Sequence, residues 1–121
     1  MRISTLLGSV LFLLSVGPVH AGTLGSAFLS GGGATEIDCL VSNIGTTPVD
    51  IVSVRIFNLS GADITTSTSC GPSLTAGRTC IVDAVTVGGR AVIEVVGSTK
   101  NLRGSCELFS SATLLAVTDM H

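Results

Sequence analysis

The sequence predicts an all-β domain, an antiparallel β-sandwich of about eight strands held by two disulfides. Three observations carry that expectation. Across residues 22–121, β-branched residues alternate with polar ones in short runs bounded by Gly, Pro and Asn. No window there shows an apolar stripe at helical spacing with caps. Four cysteines, an even number, follow an N-terminal segment built like an export signal.

That N-terminal segment has one charge, Arg2, before the apolar run from Leu6 to Val16, then Gly17-Pro18 and a small residue, Ala21, where a signal peptidase requires one. The apolar run is about half the roughly 20 residues a membrane-spanning helix needs. Residues 1–21 therefore read as a signal peptide and 22–121 as a single domain. No cysteine stands at the cut to accept a lipid, so no stable membrane anchor is expected after cleavage. The expected location is secreted or periplasmic.

The strands follow in order. Gly22 to Ser30 reads as an edge strand ending in the turn Gly31-Gly32-Gly33, which lacks the Lys-Ser/Thr of a phosphate loop. Residues 35–43 form the next strand, with Ile37, Cys39 and Val41 on one face, closed by Asn43-Ile44-Gly45-Thr46-Thr47-Pro48. Val49 to Asn58 places Val52, Val54 and Ile56 on one side and Ser53 and Arg55 on the other. A Thr-rich segment, Ala62 to Thr68, reads as a short strand or extended segment. Thr79 to Val87 comes next, with Gly88-Gly89 read as a two-residue hairpin connection into Arg90 to Val96. Leu102 to Phe109 and Ala112 to Val117 close the chain as a pair joined at Ser110-Ser111.

Four cysteines allow three pairings. Cys39 and Cys106 each lie on the apolar face of a strand, which pairs them inside the sandwich; Cys70 and Cys80 flank a Gly/Pro turn, which pairs them across a local hairpin. In the chain-entropy picture the long bond contributes about 4 kcal/mol and the short one about 3. A zinc site needs close pairs such as Cys-x2-Cys, and no two of these cysteines stand that close. The wide separation of Cys39 and Cys106 also favours an open sandwich over a closed barrel with the same strand signals.

Charge narrows the function classes. The whole chain carries a formal −2, and the part after Ala21 about −3, with basic residues scattered singly and no Trp or Tyr on which bases could stack. Nucleic acid and anionic membrane are not expected partners. Of two histidines, His20 leaves with the leader and His121 is terminal, so Ser-His-Asp and Cys-His catalysis have no imidazole in the folded body. Carboxylate chemistry needs only two acids about 5–9 Å apart. Asp38 with Asp83, or Glu94 with Glu107, are the pairs that could meet across strands; each also reads as an ordinary solvent-face residue. Ser98-x-Lys100 reads as a solvated loop, and Arg103 as half of a surface ion pair with Glu107 or Glu94. Asn58-Leu59-Ser60 is a glycosylation sequon in a glycosylating host and a turn otherwise. No catalytic, cofactor-binding or metal-ligating set is assigned, and no cofactor is expected.

Two stretches together, Ser42-Asn43-Ile44-Gly45-Thr46-Thr47-Pro48-Val49-Asp50-Ile51 and Cys70-Gly71-x2-Leu74-x2-Gly77-x2-Cys80, resemble immunoglobulin-like modules of the abnormal-spindle/hydin type and choice-of-anchor D domains. The resemblance covers roughly residues 39–96. It implies an immunoglobulin-like sandwich used for interaction or as a spacer, with no catalytic residues to carry over. The expected function is thus an exported, non-enzymatic structural or protein-interaction module whose partner is another exported protein or a cell-surface component. Leu40, Ile51, Phe57 and Phe109 are its candidate contact residues. The alternatives are a pilus-chaperone-like or subunit-like protein acting by strand addition, which needs an open sheet edge, and a small hydrolase using Asp38, Asp83, Glu94 and Glu107.

Overall fold

The computed structural model describes residues 21–121, and every regular element among them is a strand. The expected leader, residues 1–20, lies outside the described residues; Ala21, just before the expected cut, pairs with Val96. Ten strands arise: β1 Ala21–Gly25, β2 Leu29–Ser30, β3 Glu36–Asn43, β4 Val49–Phe57, β5 Ser67–Thr68, β6 Ser73–Leu74, β7 Thr79–Val85, β8 Gly88–Val96, β9 Leu102–Ser110 and β10 Thr113–Asp119. The count exceeds the expected eight because the first strand breaks into β1 and β2 and the disulfide loop contributes β6.

All pairing is antiparallel. The first sheet runs β1-β8-β4-β6 with β2 also on β8, and the second runs β10-β9-β3-β7-β5. Their inner faces meet in one core, where Ile37, Val41, Ile56, Val82, Ile93, Val95 and Leu108 are fully buried. Each such side chain contributes about 1.5–3 kcal/mol of burial free energy, enough for alternation to set which face turns inward. β3 shows it cleanly: Ile37, Cys39, Val41 and Asn43 point in, and Glu36, Asp38, Leu40 and Ser42 point out.

Both disulfides form as expected. Cys39 and Cys106 face each other on neighbouring strands of the second sheet, with their Cα atoms 4.0 Å apart, so this bond joins β3 to β9 within one sheet and fills the core. Cys70–Cys80 ties the end of β5 to the start of β7. Two such bonds fit an oxidising compartment.

Three local expectations are corrected. Gly88 and Gly89 are not the hairpin turn; Thr86 and Val87 make the connection, and the glycines lie buried inside β8 against β2. Their lack of a side chain serves close packing instead. A Cβ on Gly88 would sit 2.9 Å from the Leu29 carbonyl oxygen, and one on Gly89 3.1 Å from that of Phe57. In β4 a bulge between Ile51 and Ser53 inserts a residue and shifts the phase, so Val49 and Ile51 pack on the core and Val52 turns out to solvent. The Arg103 guanidinium makes no bridge to Glu107 or Glu94; its Nη1 donates to the carbonyls of Lys100 and Leu102.

The two long sides of the sandwich are finished differently. Along one, residues 62–74 lace the sheets together. Ile64 bonds to Ile56 of β4, Thr66 and Ser69 bond to Asp83 and Ile81 of β7, and Ile51 of β4 then donates to Pro72. That lace covers both sheet edges on its side. Along the other, only a corner is tied: Gly25 and His121 exchange two backbone bonds of 2.8 Å. Apart from that corner, β10 has a strand partner on one side alone.

Candidate functional site

Alternation and register together build the outer face of the second sheet. Asp38 of β3 stands opposite Asp83 of β7 on one side and Glu107 of β9 on the other, and Glu107 stands opposite Val117 of β10. Cross-strand neighbours share a face at Cβ separations of about 5 Å. The result is a row running Val117, Glu107, Asp38, Asp83, Ser67, with Glu36 two residues from Asp38 on the same face. Ser67 Oγ donates to Asp83 at 2.6 Å.

Four carboxyls so placed cannot all ionise freely. Burial, then a hydrogen bond with Glu36 and the charges of Glu36, Asp83 and Glu107, push the Asp38 carboxyl up to about 6. Its Oδ1 is enclosed and has no hydrogen-bond partner. Such a carboxyl has the raised proton affinity of a general acid, yet it lies on an open sheet. Asp38 lines none of three surface concavities, which lie beside Phe28 and Leu59, beside Leu24 and Met120, and beside Leu40 and Arg103. Among the described residues no three His, Cys, Asp or Glu side chains are disposed to hold a metal ion.

The other predicted pair does not meet. Glu94 is on β8 in the first sheet, where its Oε1 accepts from Ser53 Oγ at 3.1 Å, while Glu107 lies on the outer face of the second sheet. Ser98 Oγ accepts from the backbone N–H of Lys100, a turn bond rather than a nucleophile pair. Asn58 Oδ1 accepts from the N–H of Ser60, from its hydroxyl and from the N–H of Ala62, which shapes the sequon as a turn with Leu59 at its tip.

The four predicted contact residues do not form one patch. All are half-buried: Ile51 packs on the core, Phe57 lies beneath Arg90 at 5.4 Å, and Leu40 and Phe109 face out from the second sheet. The exposed apolar surface is elsewhere. On β10, Leu114, Leu115 and Val117 are 49, 40 and 54% exposed, and Leu114 stands opposite Phe109. Ile81 of β7 stands directly opposite Leu40 of β3 on the same outer face. A second apolar feature is a groove of about 500 Å³ at the loop end, lined by Phe28, Leu59 and Val87 with Asn58, Ser60 and Thr86, none of them charged.

One residue that punctuates a turn in the sequence proves to be structural. Asn43 is enclosed at 1% exposure; its Nδ2 donates to Thr47 O at 2.8 Å and Leu74 O at 2.9 Å, and its Oδ1 accepts from Gly45 N–H at 2.9 Å. Leu74 belongs to the first sheet and Asn43 to the second, so this side chain locks the two together. The signal available for it was its place on the inward phase of β3.

No protein family, curated protein or solved structure matches this chain.

Proposed function

We propose that this chain is an exported, non-enzymatic protein-interaction module, secreted or periplasmic, whose contact surface is β10 together with the outer face of the second sheet. One observation carries the reading. Of the two edge strands on the side without the lace, β1 exposes no large apolar side chain, whereas β10 leaves Leu114, Leu115 and Val117 exposed beside a backbone edge with no strand partner beyond the Gly25–His121 corner. Such an edge is what strand addition requires, so the contact mode is β-augmentation or a face docked beside it. Kinship with immunoglobulin-like modules of the abnormal-spindle/hydin type belongs to the same proposal and rests on the two motifs quoted above. The two disulfides support the exported setting.

The test is photo-crosslinking in cells that export the protein, with a benzophenone side chain at Val117 or at Val52, which is exposed on the first sheet. Adducts to another polypeptide from position 117 and not from 52 are expected. Adducts from neither position, or equally from both, would contradict the assignment.

A further inference from the structure

We propose that the partner at this face is an extended cationic segment of another polypeptide, added as a strand beside β10 with a lysine or arginine laid across Val117 towards Glu107. The inference deepens the contact reading above and rests on it. Met120 N–H bonds inward to Gly104 O and His121 N–H outward to Gly25 O. Alternation in an antiparallel ladder then turns the N–H and C=O of Val117 to the free side. Residues 113–118 are uncharged and include no Pro or Lys to block pairing.

Charge selects the occupant. A strand added beside β10 lies two strand spacings, roughly 10 Å, from β9. A lysine or arginine opposite Val117 reaches most of that distance, with its apolar stem covering the valine and its charged head near Glu107. Behind Glu107 stand Asp38 and Glu36 of β3 and Asp83 of β7, with Ser67 of β5 beyond and Asp119 further along β10. The five strands of this sheet carry a single basic residue, Arg103, and its guanidinium is engaged with backbone carbonyls. A second copy of the chain in the same place would offer β10 with no basic residue and would bring another Asp119 to the row. The row therefore favours a cationic partner over self-pairing.

Amide NMR of the folded, oxidised protein tests this with three synthetic peptides of Thr-Val repeats carrying Lys, Ser or Glu at alternate positions. The Lys peptide should shift the amides of Leu114 to Asp119 and bind about tenfold more tightly than the Ser peptide at low salt, with the Glu peptide weakest. High salt or Glu107→Gln should each close the gap. Equal binding of the Lys and Ser peptides at β10 would overturn the cationic preference and leave the contact reading standing. Peptides that leave the β10 amides unmoved would overturn both.

Discussion

Removing the Cys39–Cys106 bond should destabilise the domain far more than removing Cys70–Cys80, and the structure supplies the ordering. The loops closed are 67 and 10 residues long. With a closure entropy of −2.1 − 1.5R ln n, these correspond to about 4.4 and about 2.7 kcal/mol at 25 °C. Cys39 and Cys106 are also fully buried, so alanine at both leaves sulfur-sized voids costing on the order of 1 kcal/mol each, whereas in the other pair Cys80 alone is enclosed and Cys70 sits at the margin of the core. The expected losses are thus about 6 kcal/mol for Cys39→Ala/Cys106→Ala and about 4 for Cys70→Ala/Cys80→Ala. Against a typical domain stability of about 5–15 kcal/mol, the first change alone approaches the limit of folding. With no Trp or Tyr, urea unfolding is followed by far-UV circular dichroism. A first variant already unfolded without urea agrees with the reasoning. Equal losses, or a larger loss from the short loop, would refute it.

Other perturbations have definite signs. Asn43→Ala leaves Thr47 O, Leu74 O and Gly45 N–H without their partner and should cost about 3–5 kcal/mol, read as a lower urea midpoint at unchanged slope. Asp38 binds its proton more tightly folded, at about 6, than at its unperturbed 3.8. Its contribution is therefore fully present below 3.8 and is lost as pH rises through about 6. Asp38→Asn should raise the urea midpoint at pH 7.5, by on the order of 1–2 kcal/mol once solvent screening on this partly exposed face is allowed for, and should flatten the gain the parent shows on going to pH 5. Gly88→Ala places a methyl 2.9 Å from a backbone oxygen and should cost about 1–3 kcal/mol, while Gly32→Ala, with nothing within 4 Å, should change the thermal midpoint little.

Much of this fold is legible in the sequence because burial follows period two wherever a strand is regular. The inward sets Ile37, Cys39, Val41 and Leu102, Cys106, Leu108 could be read directly, and with them the disulfide pairing. Legibility fails where one residue changes the phase or where glycine serves packing. The β4 bulge inverts the reading of Val52, and nothing in a run of valines and isoleucines marks the inserted residue. Gly88-Gly89 has turn composition, but the demand for it comes from Leu29 and Phe57, which are distant in the chain. The same limit applies to the face. Alternation shows that Asp38, Asp83 and Glu107 point outward, while only register shows that they stand side by side. Of the expected contact residues, Ile51 and Phe57 are claimed by the core and by Arg90; those left exposed on β10 lie on an edge that the sequence does not mark.

Native-state amide hydrogen exchange on the free, oxidised protein tests the open edge most directly. The Val117 amide should exchange rapidly, while amides of β3 and β9 in the middle of the same sheet exchange only with global unfolding. A Val117 amide as protected as those of Cys39 and Cys106 would mean that the edge is already covered, and the contact surface assigned to it would be lost.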